Sequence, residues 1–258
     1  MRKIILLVLI CLMLVFTIPQ GGINSGKSPQ REEIAIVVVK APEKRHPFQT
    51  EYEEMLYPTV RITAGFSTGS GVVISLEHRA KSIEDSDSKP YALRSTLYIL
   101  TAAHVVEDQS VVDIELYDST IITGTVVITD TTKDLALLCV SAVKPYFARL
   151  APRDYTPYLF TPVYTIGCSL GLSPRPSAGM ITAINKDNWE VSSPILPGNS
   201  GGPVYDARTF EVIGIAVWVR VYNGQLVTTM AGVVPIDEIY KFIDEYERTK
   251  ELKNERTN

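Results

Sequence analysis

The sequence predicts an all-β protein, a sandwich or barrel, and three observations predict it. From Tyr57 onward the apolar residues come in short, β-branched runs. Turn residues break those runs at close spacing, and no helical period separates them until the C-terminal end. The composition is that of a folded domain. Of 258 residues, 45 % are apolar and 21 % charged, close to the soluble globular average. That excludes a mostly disordered chain, a collagen-like repeat and a polytopic membrane protein. The length allows one large domain or two small ones folded against each other.

In chain order, Arg2-Lys3 and the apolar run Ile4 to Ile18 come first, ended by Pro19, Gln20 and two glycines. The run is short of the ~20 residues that span a bilayer comfortably, so residues 1–22 read as a signal peptide or an uncleaved signal anchor, although no clean A-x-A site follows. The expected location is extracytoplasmic: secreted, periplasmic or tethered to the membrane through residues 4–18. Gly21 to Ser28 matches GxxxxGK[ST], but a phosphate loop needs a strand before it and a helix after it. Here the leader precedes it, and Pro29 and a β-rich run follow. Nucleotide binding is rejected.

The strand candidates follow at Val60–Thr63, Gly71–Ile74, Leu97–Leu100, Val111–Leu116, Ile121–Thr129 and Leu135–Val140. Further runs lie at Val163–Ile166, Met180–Ile184, Val212–Val219 and Leu226–Val234. Leu76 to Ser95 is charged and poor in apolar residues, so it reads as a solvated loop inserted between two strands. Pro145 to Pro162, rich in Pro and Tyr, suits a linker between two halves. Ile236, Ile239, Tyr240, Ile243 and Tyr246 sit at helical spacing and predict one amphipathic helix, fraying into the charged tail. No internal repeat is visible.

With 25 basic and 29 acidic residues the net charge is −4, which leaves no electrostatic footprint for nucleic acid. Cys11, Cys139 and Cys168 form no CxxC pair and the three histidines no HExxH motif, so neither a metal site nor a cofactor is expected. Cys139 and Cys168 could form one disulfide; two free, semi-buried thiols is the preferred reading. His46 and His78 have no evident partner.

Three segments carry chemistry: Leu100-Thr101-Ala102-Ala103-His104-Val105, Lys133-Asp134-Leu135-Ala136-Leu137-Leu138, and Pro197-Gly198-Asn199-Ser200-Gly201-Gly202-Pro203. Each has an ordinary structural reading alone. Together, in the order His, Asp, Ser, they supply a base, an orienter and a nucleophile. Gly198, Ser200 and Gly202 also fit the GxSxG elbow of α/β-hydrolases, but that fold needs its His after the Ser. All three histidines precede Ser200, which excludes it.

These residues give the sequence its resemblance to the chymotrypsin-like serine peptidases, and among them to the HtrA-type (DegP-like) branch. TAAHV, DLALL and GNSGGPV match the three triad segments. GSGVVI at Gly69–Ile74, IGCSLGL at Ile166–Leu172 and EVIGI at Glu211–Ile215 match flanking strands, and PIDEIYKFIDE the final helix. The resemblance covers roughly Thr59 to Tyr246. It implies two six-stranded Greek-key barrels at 57–145 and 146–235, after an N-terminal extension at 23–56 and before a C-terminal helix and tail at 236–258. It implies His104 and Asp134 on the first barrel and Ser200 on the second, with an oxyanion hole around Gly198, Asn199 and Ser200. The expected partners are protein and peptide substrates; the oligomeric state stays open.

Two departures matter. Digestive members carry Asp where this chain has Asn199, and that Asp pairs with a new N-terminus after zymogen cleavage; no such activation is expected here. HtrA-type enzymes also carry PDZ domains after the protease. Only 58 residues follow Ser200, so regulation through a PDZ domain is not expected. Pro194 stands where trypsin-like members keep an acid that binds a cation, and an unpaired buried Lys or Arg would be costly. Pro194, Ile195, Val217, Trp218 and Val219 are therefore expected to form an apolar site for a small or medium aliphatic P1 residue, Trp218 belonging to it or, preferably, to the core. The rival readings are a catalytically silent peptide binder and an esterase on the same barrels.

Overall fold

A computed structural model describes residues 52–76, 97–140 and 146–255. The leader, the GxxxxGK[ST] match, His46, His78 and nearly all of the 76–95 loop lie outside the described residues. The apolar runs form two closed antiparallel barrels. The first contains β1 (Thr59–Ala64), β2 (Ser67–Ile74), β3 (Leu97–Thr101), β4 (Val111–Glu115), β5 (Ile121–Asp130) and β6 (Leu135–Val140), in the order β1-β2-β3-β6-β5-β4. The second contains β7 (Pro162–Gly167), β8 (Arg175–Ile184), β9 (Trp189–Val191), β10 (Pro203–Asp206), β11 (Val212–Tyr222) and β12 (Gln225–Pro235), in the order β7-β8-β9-β12-β11-β10. The second barrel repeats the connectivity of the first, a duplication the amino-acid identities do not betray.

Burial follows the residue pattern. Val111-Val112-Asp113-Ile114-Glu115 alternates, with Val112 and Ile114 inside, as a half-buried strand must. Leu97-Tyr98-Ile99-Leu100-Thr101 is buried throughout: one face looks into the barrel, the other is covered by neighbouring elements. Between the barrels the chain makes single bridges to each side, Ala148 to Ile74 and Leu150 to Val212.

Three helices complete the described fold. The one-turn helix α1 (Glu53–Leu56) precedes β1, and α2 (Ala103–Val106) follows β3; neither is long enough to leave a periodic signal in the sequence. The third, α3 (Ile236–Glu255), buries Ile236, Ile239, Phe242 and Ile243. Each such side chain contributes roughly 1.5–3 kcal/mol on leaving water. Tyr246 of α3 meets Tyr98 of β3 edge-on, with ring centroids 5.5 Å apart, and Glu238 pairs with Lys133 at 3.0 Å. The helix leaves the second barrel and braces the first, and it continues through Lys253 to Glu255 rather than fraying there. Among the described residues no helix is long and apolar enough to cross a membrane.

Candidate active site

His104 projects from α2. Ala103, Val105 and Val106 are buried, and anchoring that single turn on three sides leaves the imidazole outward, with 48 % of the side chain exposed. Asp134 closes the turn between β5 and β6. Asp130 Oδ1 accepts hydrogen bonds from the Thr132 and Lys133 amides at 2.9 and 3.0 Å, an Asx turn. Asp134 then takes φ = 56°, which Asp tolerates better than most residues.

The two side chains meet. Nδ1 of His104 lies 2.6 Å from Asp134 Oδ2, and the His104 amide donates to Asp134 Oδ1 at 2.9 Å. An ionised carboxylate only accepts, so the Nδ1 position carries the proton and Nε2 keeps its lone pair. The carboxylate thus sets both the tautomer and the orientation of the ring.

Ser200 sits on the turn entering β10, half-buried, and two contacts bring that turn to the first barrel. The Ser200 carbonyl accepts from the Ser70 amide of β2 at 2.8 Å. Gly69 lies between the two: a Cβ there would stand 2.4 Å from Val105 Cγ2 and 3.0 Å from the Ser200 carbonyl oxygen. Only glycine lets the neighbour of His104 and the backbone of Ser200 come so close. No hydrogen bond of the Ser200 hydroxyl occurs among the described residues; such contacts are often long in free enzymes and tighten with substrate.

The turn itself has an unusual backbone. Gly198 has φ = +96°, and a Cβ there would meet the Cys168 carbonyl oxygen at 2.4 Å. Among the described residues neither the Gly198 nor the Ser200 N–H has an acceptor. The Asn199 N–H does, donating to the Leu196 carbonyl at 3.0 Å. Asn199 is therefore a spacer between two available donors, and its side chain, 2 % exposed, accepts from Ser169 Oγ at 2.5 Å.

The residues expected to recognise substrate divide. Ile195 and Val217 are buried, while Trp218 is 37 % exposed and is not a core residue. It pairs with Gly232 across β11 and β12, and its indole occupies the space a Gly232 side chain would need. Pro194 is exposed, with its carbonyl accepting from Ser177 Oγ at 3.0 Å. Val219 is half-buried. Cys139 and Cys168 are free, and burial pushes the Cys168 thiol up to about 12. A mainly apolar cleft lined by Tyr52, Glu53, Met55, Leu56, Tyr164, Ile166 and Pro176 contains none of these site residues.

Sequence reasoning missed Ser70 and the 3₁₀ turn Ser169–Gly171, which surround the Gly198–Ser200 turn. Both lie in segments quoted above as flanking strands. A serine between two glycines at a strand centre was the available signal.

Two barrels of this connectivity, with a His–Asp pair on one and a Gly-Asn-Ser turn on the other, define the chymotrypsin-like class. The family model for the trypsin-like peptidase domain matches residues 69–215, and the chain belongs to that family. Its relatives include a putative serine protease HhoB from Synechocystis, 33 % identical over 155 residues, covering 53 % of this chain and 35 % of the relative. A serine protease HtrA-like protein from Staphylococcus epidermidis is 29 % identical over 199 residues, covering 69 % of this chain and 31 % of that one. The chain spans about a third of the length of these curated relatives. In structure it resembles the serine endoprotease from Yersinia pestis, with a TM-score of 0.61 at 21 % identity, over 78 % of this chain and 68 % of that one.

Proposed function

We propose that this chain is a serine endopeptidase in which His104, Asp134 and Ser200 act as the triad and the Gly198 and Ser200 amides as the oxyanion hole. The observation that carries the reading is the 2.6 Å contact of His104 Nδ1 with Asp134, which leaves Nε2 as the base. His104 Nε2 takes the hydroxyl proton as Ser200 Oγ attacks a peptide carbonyl, then delivers it to the leaving amine. Asp134 stabilises the imidazolium formed in between. The carbonyl oxygen becomes an oxyanion facing two N–H groups, each worth about 2.7–4 kcal/mol by comparison with other serine proteases. Water then releases the acyl group by the same proton path in reverse.

The substrates proposed are exposed or unfolded protein segments with a small or medium aliphatic P1 residue. Ile195 and Val217 support that preference, and no acid lies between Glu190 and Ser200 to pair with a basic side chain. Export or tethering through residues 4–18 is proposed from the sequence alone.

The test compares the purified chain with its Ser200→Ala variant on casein. Cleavage should fall by roughly 10⁴–10⁶ in the variant, and the cut sites should read out P1. Efficient cutting after Arg or Lys would refute the preference. If casein stays intact and no fluorophosphonate label is taken up, the peptide-binding reading replaces the enzyme.

A further inference from the structure

Four consecutive carbonyls of the nucleophile turn are each held by a donor. Pro197 accepts from the Leu170 amide at 2.7 Å, Asn199 from the Gly202 amide at 2.9 Å and Ser200 from the Ser70 amide at 2.8 Å. Gly198 accepts from the Ser70 hydroxyl at 2.6 Å. In a trans peptide the C=O and the following N–H point in opposite directions. Fixing the Pro197 and Asn199 carbonyls therefore aims the Gly198 and Ser200 N–H groups away from those partners, where they have no acceptor among the described residues.

Ser70 is the residue these contacts share. Its hydroxyl donates to Gly198 and accepts from the Cys168 amide at 2.8 Å, using both capacities of a hydroxyl. Cys168 opens the turn whose Leu170 amide holds the Pro197 carbonyl, so one oxygen steadies the hole from two sides. The Ser70 backbone bridges separately: its N–H reaches Ser200, and its carbonyl accepts from Thr101 Oγ1 at 2.7 Å, three residues before His104. Ser70 is fully buried, so water does not compete for these bonds.

We propose that the Ser70 hydroxyl is a positioning group for the oxyanion hole: it holds the Gly198 peptide and the Cys168–Gly171 turn so that the hole stands open before substrate arrives. This rests on the endopeptidase reading. Ser70→Ala deletes the hydroxyl bonds and keeps the backbone bridges, which isolates the effect.

The experiment measures kcat and KM on a peptide substrate, and affinity for a peptide boronate, whose oxygen occupies the hole, against affinity for the product peptide. In Ser70→Ala kcat should fall about 10- to 100-fold, less than the ~10²–10³ for removing a hole donor outright. KM should stay within about twofold, boronate affinity should fall by the same factor as kcat/KM, and product affinity should hold. Tyr205→Phe is the control: it deletes an equally buried hydrogen bond, from Tyr205 to the Met55 carbonyl at 3.0 Å, and should lower stability without changing kcat. If Ser70→Ala does not fold, Ser70→Cys, which keeps a side chain of similar shape with a weak donor, must show the same split. A folded variant with kcat within about threefold of the parent overturns the proposal, as does a boronate affinity that falls no further than product affinity. A parent chain inert to both casein and fluorophosphonate overturns the endopeptidase reading and this inference together, a result read without any Ser70 variant.

Discussion

Replacing Gly198 by Ala tests whether the nucleophile turn does what its backbone suggests. The φ of +96° lies where L residues are strained, at a cost of about 1–3 kcal/mol. The added methyl would lie 2.4 Å from the Cys168 carbonyl oxygen and 3.0 Å from the Leu170 nitrogen. Both are backbone atoms, so no rotamer change relieves the contact and the turn itself must move. A shift large enough to restore normal separation takes the Gly198 N–H off the position an oxyanion would occupy. Loss of one such donor costs about 2.7–4 kcal/mol, or ~10²–10³ in kcat, while KM should change little. The melting temperature should fall by about 2–12 °C, because each kcal/mol is worth roughly 2–4 °C in a domain of this size. Gly224→Ala is the matched control: its φ is +77° with nothing within 4 Å of the added carbon. It should show the melting shift at most, with kcat unchanged. Steady-state kinetics and thermal melts on the three proteins are the assay. A Gly198→Ala enzyme within about fivefold of the parent kcat would refute the placement of that N–H in the hole.

Three further outcomes are expected. Asn199→Asp should not gain activity, because it places a carboxylate in a site 2 % exposed with the Ser169 hydroxyl as its neighbour. Burial raises such a pKa, so the variant should be most stable below the unfolded carboxylate value of ~3.9. It should lose stability as pH rises from there through the raised folded value, measurable by melts run from acid to neutral pH. Asp206 is fully buried, and burial alone would raise its pKa. Bonds from Arg208 and from Tyr155 at 2.7 Å outweigh that and hold it below the usual carboxylate range. Its contribution, about 1.5–3 kcal/mol for hydrogen bonds to a charge, is present above pH ~3.9 and lost as pH falls through the lowered value. Denaturant melts should show a constant deficit for Asp206→Asn at pH 5–8 that closes below pH 4. Cys168, its thiol pushed up to about 12 by burial, should resist iodoacetamide at pH 8 in the folded protein while half-buried Cys139 reacts, as peptide mapping would reveal.

Ten of the twelve described strands were legible because burial imposes a period: Val111 to Glu115 alternates in the sequence and in the barrel alike. The other two, β9 and β10, are three and four residues long and were too short to stand out. The candidate residues His104, Asp134 and Ser200 were legible because each sits in a short local motif whose order excludes other folds with the same residue types. The one-turn helix that carries His104 was not, since four residues are too few to show a 3.6-residue period. The preference for Trp218 as a core residue failed because its setting depends on Gly232, fourteen positions along the chain, and a strand pattern does not say what faces a side chain across the next strand.

By itself the sequence determined the all-β class, the closing helix and the order His, Asp, Ser, because each is written in neighbouring residues. The tertiary structure alone decided that both barrels share one connectivity, since strand pairing answers to apolar pattern and not to identity. It also decided which groups hold the nucleophile turn. Ser70 is 98 residues from Cys168 and 128 from Gly198. A hydrogen bond between groups so far apart leaves no local trace; it exists only once two barrels have closed and brought β2 against the turn before β10.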